Sequence, residues 1–160
     1  MEFAPVTPEI VEALEAIVGS DYVVTREPEL AVYGRDETED LQYQAEVAVR
    51  PDSAAQVAAI LELAWTHDVP VTPRGAGTGL SGGALPVFGG IVLSVDRMNR
   101  ILEIDEENLM VRVQPGVITQ VLQDAVAERG LYYPPDPASA GSCMIGGNIA
   151  ENSGGPHCVK

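Results

Sequence analysis

Five glycines fall within the nine residues Gly75-Ala76-Gly77-Thr78-Gly79-Leu80-Ser81-Gly82-Gly83, a few residues after the apolar run Val69-Pro70-Val71-Thr72. Packing in a core does not call for such density. Without Cβ atoms, successive N–H groups can converge on an anion, and positive φ is reached at little steric cost. The chemistry points to a phosphate. A second segment, Gly141-Ser142-Cys143-Met144-Ile145-Gly146-Gly147-Asn148-Ile149-Ala150-Glu151-Asn152-Ser153-Gly154-Gly155, follows the rigid run Tyr133-Pro134-Pro135-Asp136-Pro137. Two such segments imply an extended ligand. The common nucleotide templates do not fit: no Gly-Lys-Ser/Thr is present, and Gly75, Gly77 and Gly79 alternate where the Rossmann spacing would not. Pro86 and Gly89-Gly90 stand where a phosphate-binding helix would begin.

The remaining chain reads as a set of α/β elements. Thr7-Pro8 opens a helix whose Ile10, Val11, Leu14, Ile17 and Val18 share a stripe until Gly19 stops it. Glu27-Pro28-Glu29 reads as a turn, and Asp36-Glu37-Thr38-Glu39-Asp40 as a solvated acidic loop with no assigned chemistry. Glu46 to Arg50 is a strand, and Ser53-Ala54-Ala55-Gln56 a capping box for a helix presenting Val57, Ile60, Leu61 and Ala64 on one face. With Val69 to Thr72 as the next strand, this makes a βαβ unit of parallel strands. The first glycine loop then leaves a strand's carboxyl end, where open α/β sheets bind ligands. Ile91 to Val95 is a further strand, and Ile101 to Asp105 with Met110 to Gln114 a hairpin turned at Glu106-Glu107-Asn108. Ile118, Val121, Leu122, Ala125 and Val126 mark a helix closed by Arg129-Gly130. Ser142 is the expected cap of a short helix from Met144 to Glu151, with Gly146 and Gly147 in its first turn at ~1 kcal/mol each relative to Ala.

These motifs, with Val111-Arg112-Val113-Gln114-Pro115-Gly116-Val117 between them, resemble the N-terminal half of the FAD-binding domain of the vanillyl-alcohol oxidase/PCMH flavoprotein superfamily. The run from Tyr132 to Lys160 most resembles the branch of glycolate oxidase flavoprotein subunits and D-lactate and D-2-hydroxyacid dehydrogenases. The resemblance implies an α+β (α/β) fold: a PCMH-type FAD-binding domain, with a βαβ subdomain of parallel strands flanked by helices and a partial second mixed or antiparallel subdomain. It also implies that residues 1–160 are the N-terminal part of a single FAD-binding domain. The C-terminal part, and the substrate domain that carries the family's histidine-rich metal site and carboxylate-binding arginine, are expected outside this chain, so no catalytic or metal-binding residue is assigned. The alternatives are another oxidase or reductase on the same scaffold and a noncatalytic flavin-binding or interaction module.

Within that frame, the pyrophosphate of FAD is expected on the N–H groups of Gly75, Ala76, Gly77, Thr78 and Gly79, with the Ser81 hydroxyl and the Gly82 backbone. Arg74 is a candidate for phosphate pairing or for an inter-loop salt bridge. Pro137, Ser142, Cys143, Gly146, Gly147, Asn148, Asn152, Ser153 and Gly154 are the expected contacts of the second segment, aided by a helix N-terminus near Ser142. Covalently flavinylated relatives carry histidine at the position that aligns with Thr78. The resemblance therefore implies noncovalent FAD, a small 2-hydroxy acid as substrate of the whole protein, and an iron-sulfur subunit as candidate partner; an unpaired strand edge would favour a homodimer.

Composition limits the alternatives. A net charge of −15 argues against nucleic acid as a partner, and an anionic cofactor must then be held by local dipoles. Eight Arg stand against one Lys, which fits either a GC-rich genome or adaptation to salt. No apolar run reaches the roughly 20 residues of a membrane span, and the first residues lack a signal-peptide pattern. A cytoplasmic location is expected, with attachment to the inner membrane only through a complex. Cys143 and Cys158 read as free thiols, and His157 beside Cys158 lacks the further ligands a metal site requires.

Overall fold

A computed structural model describes residues 3–158. The chain divides into two compact units, Met1–Arg97 and Met98–Lys160. In the first, a four-stranded sheet has the order β1-β2-β4-β3, from Val23–Val24 (β1), Val47–Val49 (β2), Val71–Arg74 (β3) and Ile91–Ser94 (β4). β2 and β3 both run parallel to β4, and β1 pairs antiparallel with β2. The expected βαβ crossover is present, but β4 lies between its two strands. β3 begins two residues later than the sequence suggested, because Val71 is the first residue in register with β4, opposite Ile91. Pro73, which has no N–H, is tolerated because β3 is an edge strand.

Both faces of this sheet are covered, as parallel sheets require. Alternation sends Val47 and Val49 of β2 and Ile91 and Leu93 of β4 towards helices α1 (Pro8–Val18) and α3 (Ala54–Thr66), where they pack with Ile10, Leu14, Val18, Ile60 and Ala64. Leu14 and Ile60 are wholly buried, and truncating such a side chain to Ala typically costs ~2–5 kcal/mol. Ala48 and Val92 face the other way, against Leu30 and Ala45, with Val24 and Tyr33 beside them.

That second cover is a four-residue helix, α2 (Glu27–Leu30), continued by a 3-10 turn Ala31–Gly34. It replaces the turn expected at Glu27-Pro28-Glu29: Pro28 lies in the first helical turn, where its missing N–H costs nothing. The start of α3 is close to a capping box. Ser53 Oγ accepts from Gln56 N at 3.4 Å, and Gln56 Oε1 accepts from Asp52 N at 2.8 Å. Gln56 Nε2 also donates to Ile17 O at 3.1 Å, tying α3 to α1. Leu61 does not join the buried face. It is 47% exposed beside Trp65 at 87%, since the stripe that meets the sheet runs through Ile60 and Ala64.

The second unit holds the hairpin β5 (Ile101–Asp105) and β6 (Met110–Val113), paired antiparallel with a bulge near Ile101. Helix α4 (Thr119–Ala127) follows, and then the six-residue α5 (Ile145–Ala150). Val117, Leu122, Val126 and Ile145 form the core, packed by Ile104, Val111 and Tyr133. Val121, expected on the core face of α4, is instead 51% exposed. Among the described residues no helix is long and apolar enough to cross a membrane.

Candidate functional site

The first glycine loop leaves the carboxyl end of β3, as expected, and its geometry is set by Arg74, the last residue of that strand. Arg74 is only 8% exposed. Its guanidinium turns inward beneath the loop, donating from Nη2 to Val32 O at 3.2 Å, with the Tyr33 ring centroid 6.0 Å away. Gly77 passes directly over it with φ +72°, and a Cβ there would sit 2.1 Å from Arg74 Nη2. This close approach and this φ are both open to glycine and strained for other residues. Burial lowers the Arg74 pKa from its ordinary value, opposed by the charge of Asp36 and by Tyr33. Among the described residues, no salt bridge of the kind expected as the alternative role of Arg74 forms, and its Nη1 is buried without a partner.

Among the described residues, no hydrogen bond engages the N–H groups of Gly75, Ala76, Gly77, Thr78 or Gly79, and all five residues are half-buried. Backbone donors in a folded chain are nearly always paired. Five successive ones are left open here, with Gly77 lying against a guanidinium whose Nη1 is unpartnered, and such donors are of the kind that bind oxyanions. Gly82 departs from the expectation: its N–H donates to Thr38 Oγ1 at 2.9 Å and is already satisfied. Ser81 is exposed and stands beside it.

The acidic loop, read from the sequence as solvated and without a role, therefore touches the site. Asp36 is half-buried, its Oδ1 accepts from Thr38 N at 2.9 Å, and its Oδ2 is buried without a partner. Sequence reasoning missed Val32, Tyr33, Asp36 and Thr38 because they lie some forty residues upstream of the loop they contact, in a stretch without periodicity.

Two further arginines lie at the same carboxyl edge, and each has a carboxylate partner, Asp96 for Arg50 and Asp52 for Arg97. Arg50 pairs with Asp96 through Nε at 2.9 Å and a second nitrogen, and Ser94 Oγ donates to Asp96 at 3.0 Å. Burial pushes the Asp96 carboxyl up, but the bonds from Arg50 and Ser94 and the Arg50 charge outweigh it, leaving the pKa below the ordinary value. Arg97 lies 3.3 Å from the Tyr22 ring centroid and donates to Arg50 O at 2.8 Å.

In the second unit the expected contacts separate into engaged and open groups. Cys143 is buried, with Sγ 3.1 Å from Thr119 Oγ1, and its carbonyl accepts from Thr119 N at 3.0 Å. Asn148, also buried, donates from Nδ2 to Thr119 Oγ1 at 2.6 Å. Gly146 donates to Pro115 O at 2.8 Å, and a Cβ there would lie 2.7 Å from Pro115 Cβ. Its glycine is required by that contact within the unit. Ser142 does not cap α5: its Oγ donates to Ser139 O at 3.2 Å, and the N-cap is Met144. Pro137 O accepts from Ala140 N at 2.8 Å, and Gly154 O from Asp136 N at 2.8 Å. Asn152 takes φ 53°, and Ser153 N donates to Asn148 O at 2.8 Å. Gly147, by contrast, has open space where a Cβ would be. The first unit thus holds an open donor array, whereas the second spends most of its polar groups on itself.

Comparison with known proteins identifies the ligand class. The model of a family described as FAD binding domain matches residues 45–160. The chain belongs to the FAD-binding domain family. The match covers both glycine segments, and the open N–H groups and the orphaned Arg74 nitrogen suit the anionic pyrophosphate of FAD. Glycolate oxidase subunit GlcD of Bacillus subtilis (strain 168) is 44% identical over 155 residues, covering 97% of this chain and 33% of the relative. D-lactate dehydrogenase of Anaerostipes hadrus is 38% identical, covering 99% of this chain and 33% of the relative. The chain thus spans about a third of the length of these relatives. Among solved structures, an alkyldihydroxyacetonephosphate synthase superposes with a TM-score of 0.84 at 22% identity, covering 97% of this chain and 34% of that one. This agreement supports the α+β (α/β) fold that the resemblance implied.

Proposed function

We propose that the chain is the FAD-gripping, N-terminal part of a flavin-dependent 2-hydroxyacid dehydrogenase or oxidase. The observation that carries this reading is the run of open N–H groups from Gly75 to Gly79 above the unpartnered Nη1 of Arg74. Such donors, fixed before the ligand arrives, bind a diphosphate without reorganisation. FAD, when bound, supplies the acceptor for the hydride that a 2-hydroxy acid loses as it becomes a 2-oxo acid. This chain's residues hold and orient the cofactor: the loop receives the pyrophosphate, Arg74 balances part of its charge from beneath, and Gly77 lets the backbone close in. The base that takes the hydroxyl proton and the cation for the substrate carboxylate are assigned to polypeptide outside this chain.

For the second segment the proposal narrows to Gly147 and the side chains of Asn152 and Ser153, since Cys143, Gly146, Asn148, Ser153 N and Gly154 O are engaged within their own unit. The relatives' names favour glycolate, D-lactate or a similar small 2-hydroxy acid as substrate, and the word subunit in one of them favours a partner chain. Thr78, in place of the histidine of covalent relatives, favours noncovalent flavin.

Titration of the chain with FAD, followed by flavin fluorescence, tests the cofactor reading. Saturable binding that is lost in Gly77→Asp supports it, and no binding to the folded wild-type chain refutes the claim that these residues suffice. Acid precipitation of the complex tests the linkage: yellow supernatant means noncovalent flavin, and yellow pellet overturns it. Extending the polypeptide to the length of its relatives and assaying reduction of a dye by glycolate or D-lactate tests the reaction.

A further inference from the structure

We propose that Asp36 and Thr38 form a strap that holds the glycine loop in its anion-receiving shape, making them positioning residues for FAD although neither touches it. The inference rests on the cofactor reading above. The loop is gripped at both ends by the segment 32–38. At its far end Thr38 Oγ1 accepts from Gly82 N at 2.9 Å. At its near end Val32 O accepts from Arg74 Nη2 at 3.2 Å, and a Cβ on Gly77 would meet that guanidinium. Asp36 Oδ1 accepts from Thr38 N at 2.9 Å, so the far grip is itself held in place by Asp36.

The same arrangement holds Arg74 in place through Val32 O and the Tyr33 ring. Glycine loops have little stiffness of their own, because each Gly admits more backbone states than any other residue. A loop that must present five N–H groups in one direction needs outside support, and residues 32–38 supply it.

The strap makes a prediction whose sign is opposite to that of simple charge. Asp36 is an anion close to a site for an anion, so removing its charge should tighten FAD if charge alone mattered. If Asp36 is a strap, Asp36→Ala removes the acceptor of Thr38 N and loosens the loop, and FAD binds more weakly. Three variants of the chain, Asp36→Ala, Thr38→Val and Thr38→Ser, are compared by two measurements: the FAD dissociation constant and the 15N order parameters of residues 75–82 without ligand. The expected result is about tenfold weaker binding for Asp36→Ala and Thr38→Val, equivalent to ~1.4 kcal/mol. Their loop order parameters should fall from the rigid range near 0.85 towards about 0.6. Thr38→Ser, which keeps the acceptor, should restore both quantities.

Tighter or unchanged binding in Asp36→Ala overturns the proposal, as does an unchanged loop order parameter in both Asp36→Ala and Thr38→Val. A wild-type chain that binds no FAD refutes instead the claim that these residues suffice for the cofactor. The strap is then decided by the order parameters alone.

Discussion

The two glycine-rich segments look alike in sequence and do different physical work. In Gly75 to Gly79 the missing Cβ atoms leave backbone donors open, and no internal acceptor among the described residues takes them. At Gly146 the missing Cβ lets one backbone lie against another: the N–H is spent on Pro115 O, and a side chain would meet Pro115 Cβ at 2.7 Å. Glycine density alone therefore does not mark a ligand site. What marks it is glycine together with unspent hydrogen-bonding capacity, and on that criterion the first segment qualifies while only Gly147 and the side chains of Asn152 and Ser153 keep the second in consideration.

The strongest way to break this contrast is at Gly77. Gly77→Asp places a side chain 2.1 Å from Arg74 Nη2, in a conformation with φ +72° that L-residues seldom adopt, and adds negative charge where the pyrophosphate is proposed to lie. Backbone strain of ~1–3 kcal/mol and like-charge repulsion together should weaken FAD by at least about 100-fold. The circular dichroism spectrum should stay unchanged, since the loop is outside the core. Retained affinity would mean that the open donors are not the cofactor's receptor.

Gly146→Ala should do the reverse, costing folding stability before affinity. The overlap with Pro115 amounts to overpacking, for which ~1–3 kcal/mol is typical, read as a lower denaturation midpoint. The loss of FAD binding should follow the loss of folded protein and no more. A variant of unaltered stability but reduced affinity would move Gly146 into the cofactor site and erase the distinction between the two segments.

Gly147→Ala sharpens the comparison between neighbours. Nothing lies within 4 Å of a Cβ at this position, and its φ is negative, so Ala should stabilise α5 by up to ~1 kcal/mol through helix propensity. A rise in denaturation midpoint accompanied by weaker FAD binding would assign Gly147 to the cofactor. A rise with unchanged affinity would leave the second segment with a structural role at this residue.

Much of the fold is written in the spacing of residues along the chain. The stripe Ile10, Leu14, Val18 with Pro8 before it and Gly19 after it carries α1 by itself, and the hairpin Ile101–Val113 announces itself through alternation and Glu106-Glu107-Asn108. The elements that spacing does not show are those fixed by distant partners. Val23–Val24 is a strand because Val49 and Ala48 pair with it, and two residues carry no period. Leu61 fits the helical stripe as well as Ile60 does, and only the sheet beneath α3 decides which is buried. At the site, the glycine loop is legible as a donor array, but the direction of Arg74 is not, since a residue at a strand end can turn either way. Thr38 is hidden more deeply: its bond to Gly82 spans 44 residues, and the acidic loop around it has the composition of ordinary surface.

The smallest expected effect separates the three arginines at the carboxyl edge of the sheet. Arg50 is committed to Asp96 and Arg97 to Tyr22 and Arg50 O, which leaves Arg74 Nη1 as the unpaired buried guanidinium nitrogen among the described residues. Asp96→Asn tests whether the commitment is real. The folded-state pKa of Asp96 lies below the ordinary Asp value, so its contribution to stability is present above about pH 4 and is lost as pH falls through the folded pKa. Wild type should therefore lose more stability between neutral pH and pH 3 than Asp96→Asn does, by less than ~1 kcal/mol for a pair that is partly exposed, in urea unfolding at the two pH values. FAD affinity at neutral pH should change by less than about threefold. A larger loss would show that Arg50, held by Asp96, shares the anion with Arg74, and that the first unit receives the cofactor along the whole strand edge and not at the glycine loop alone.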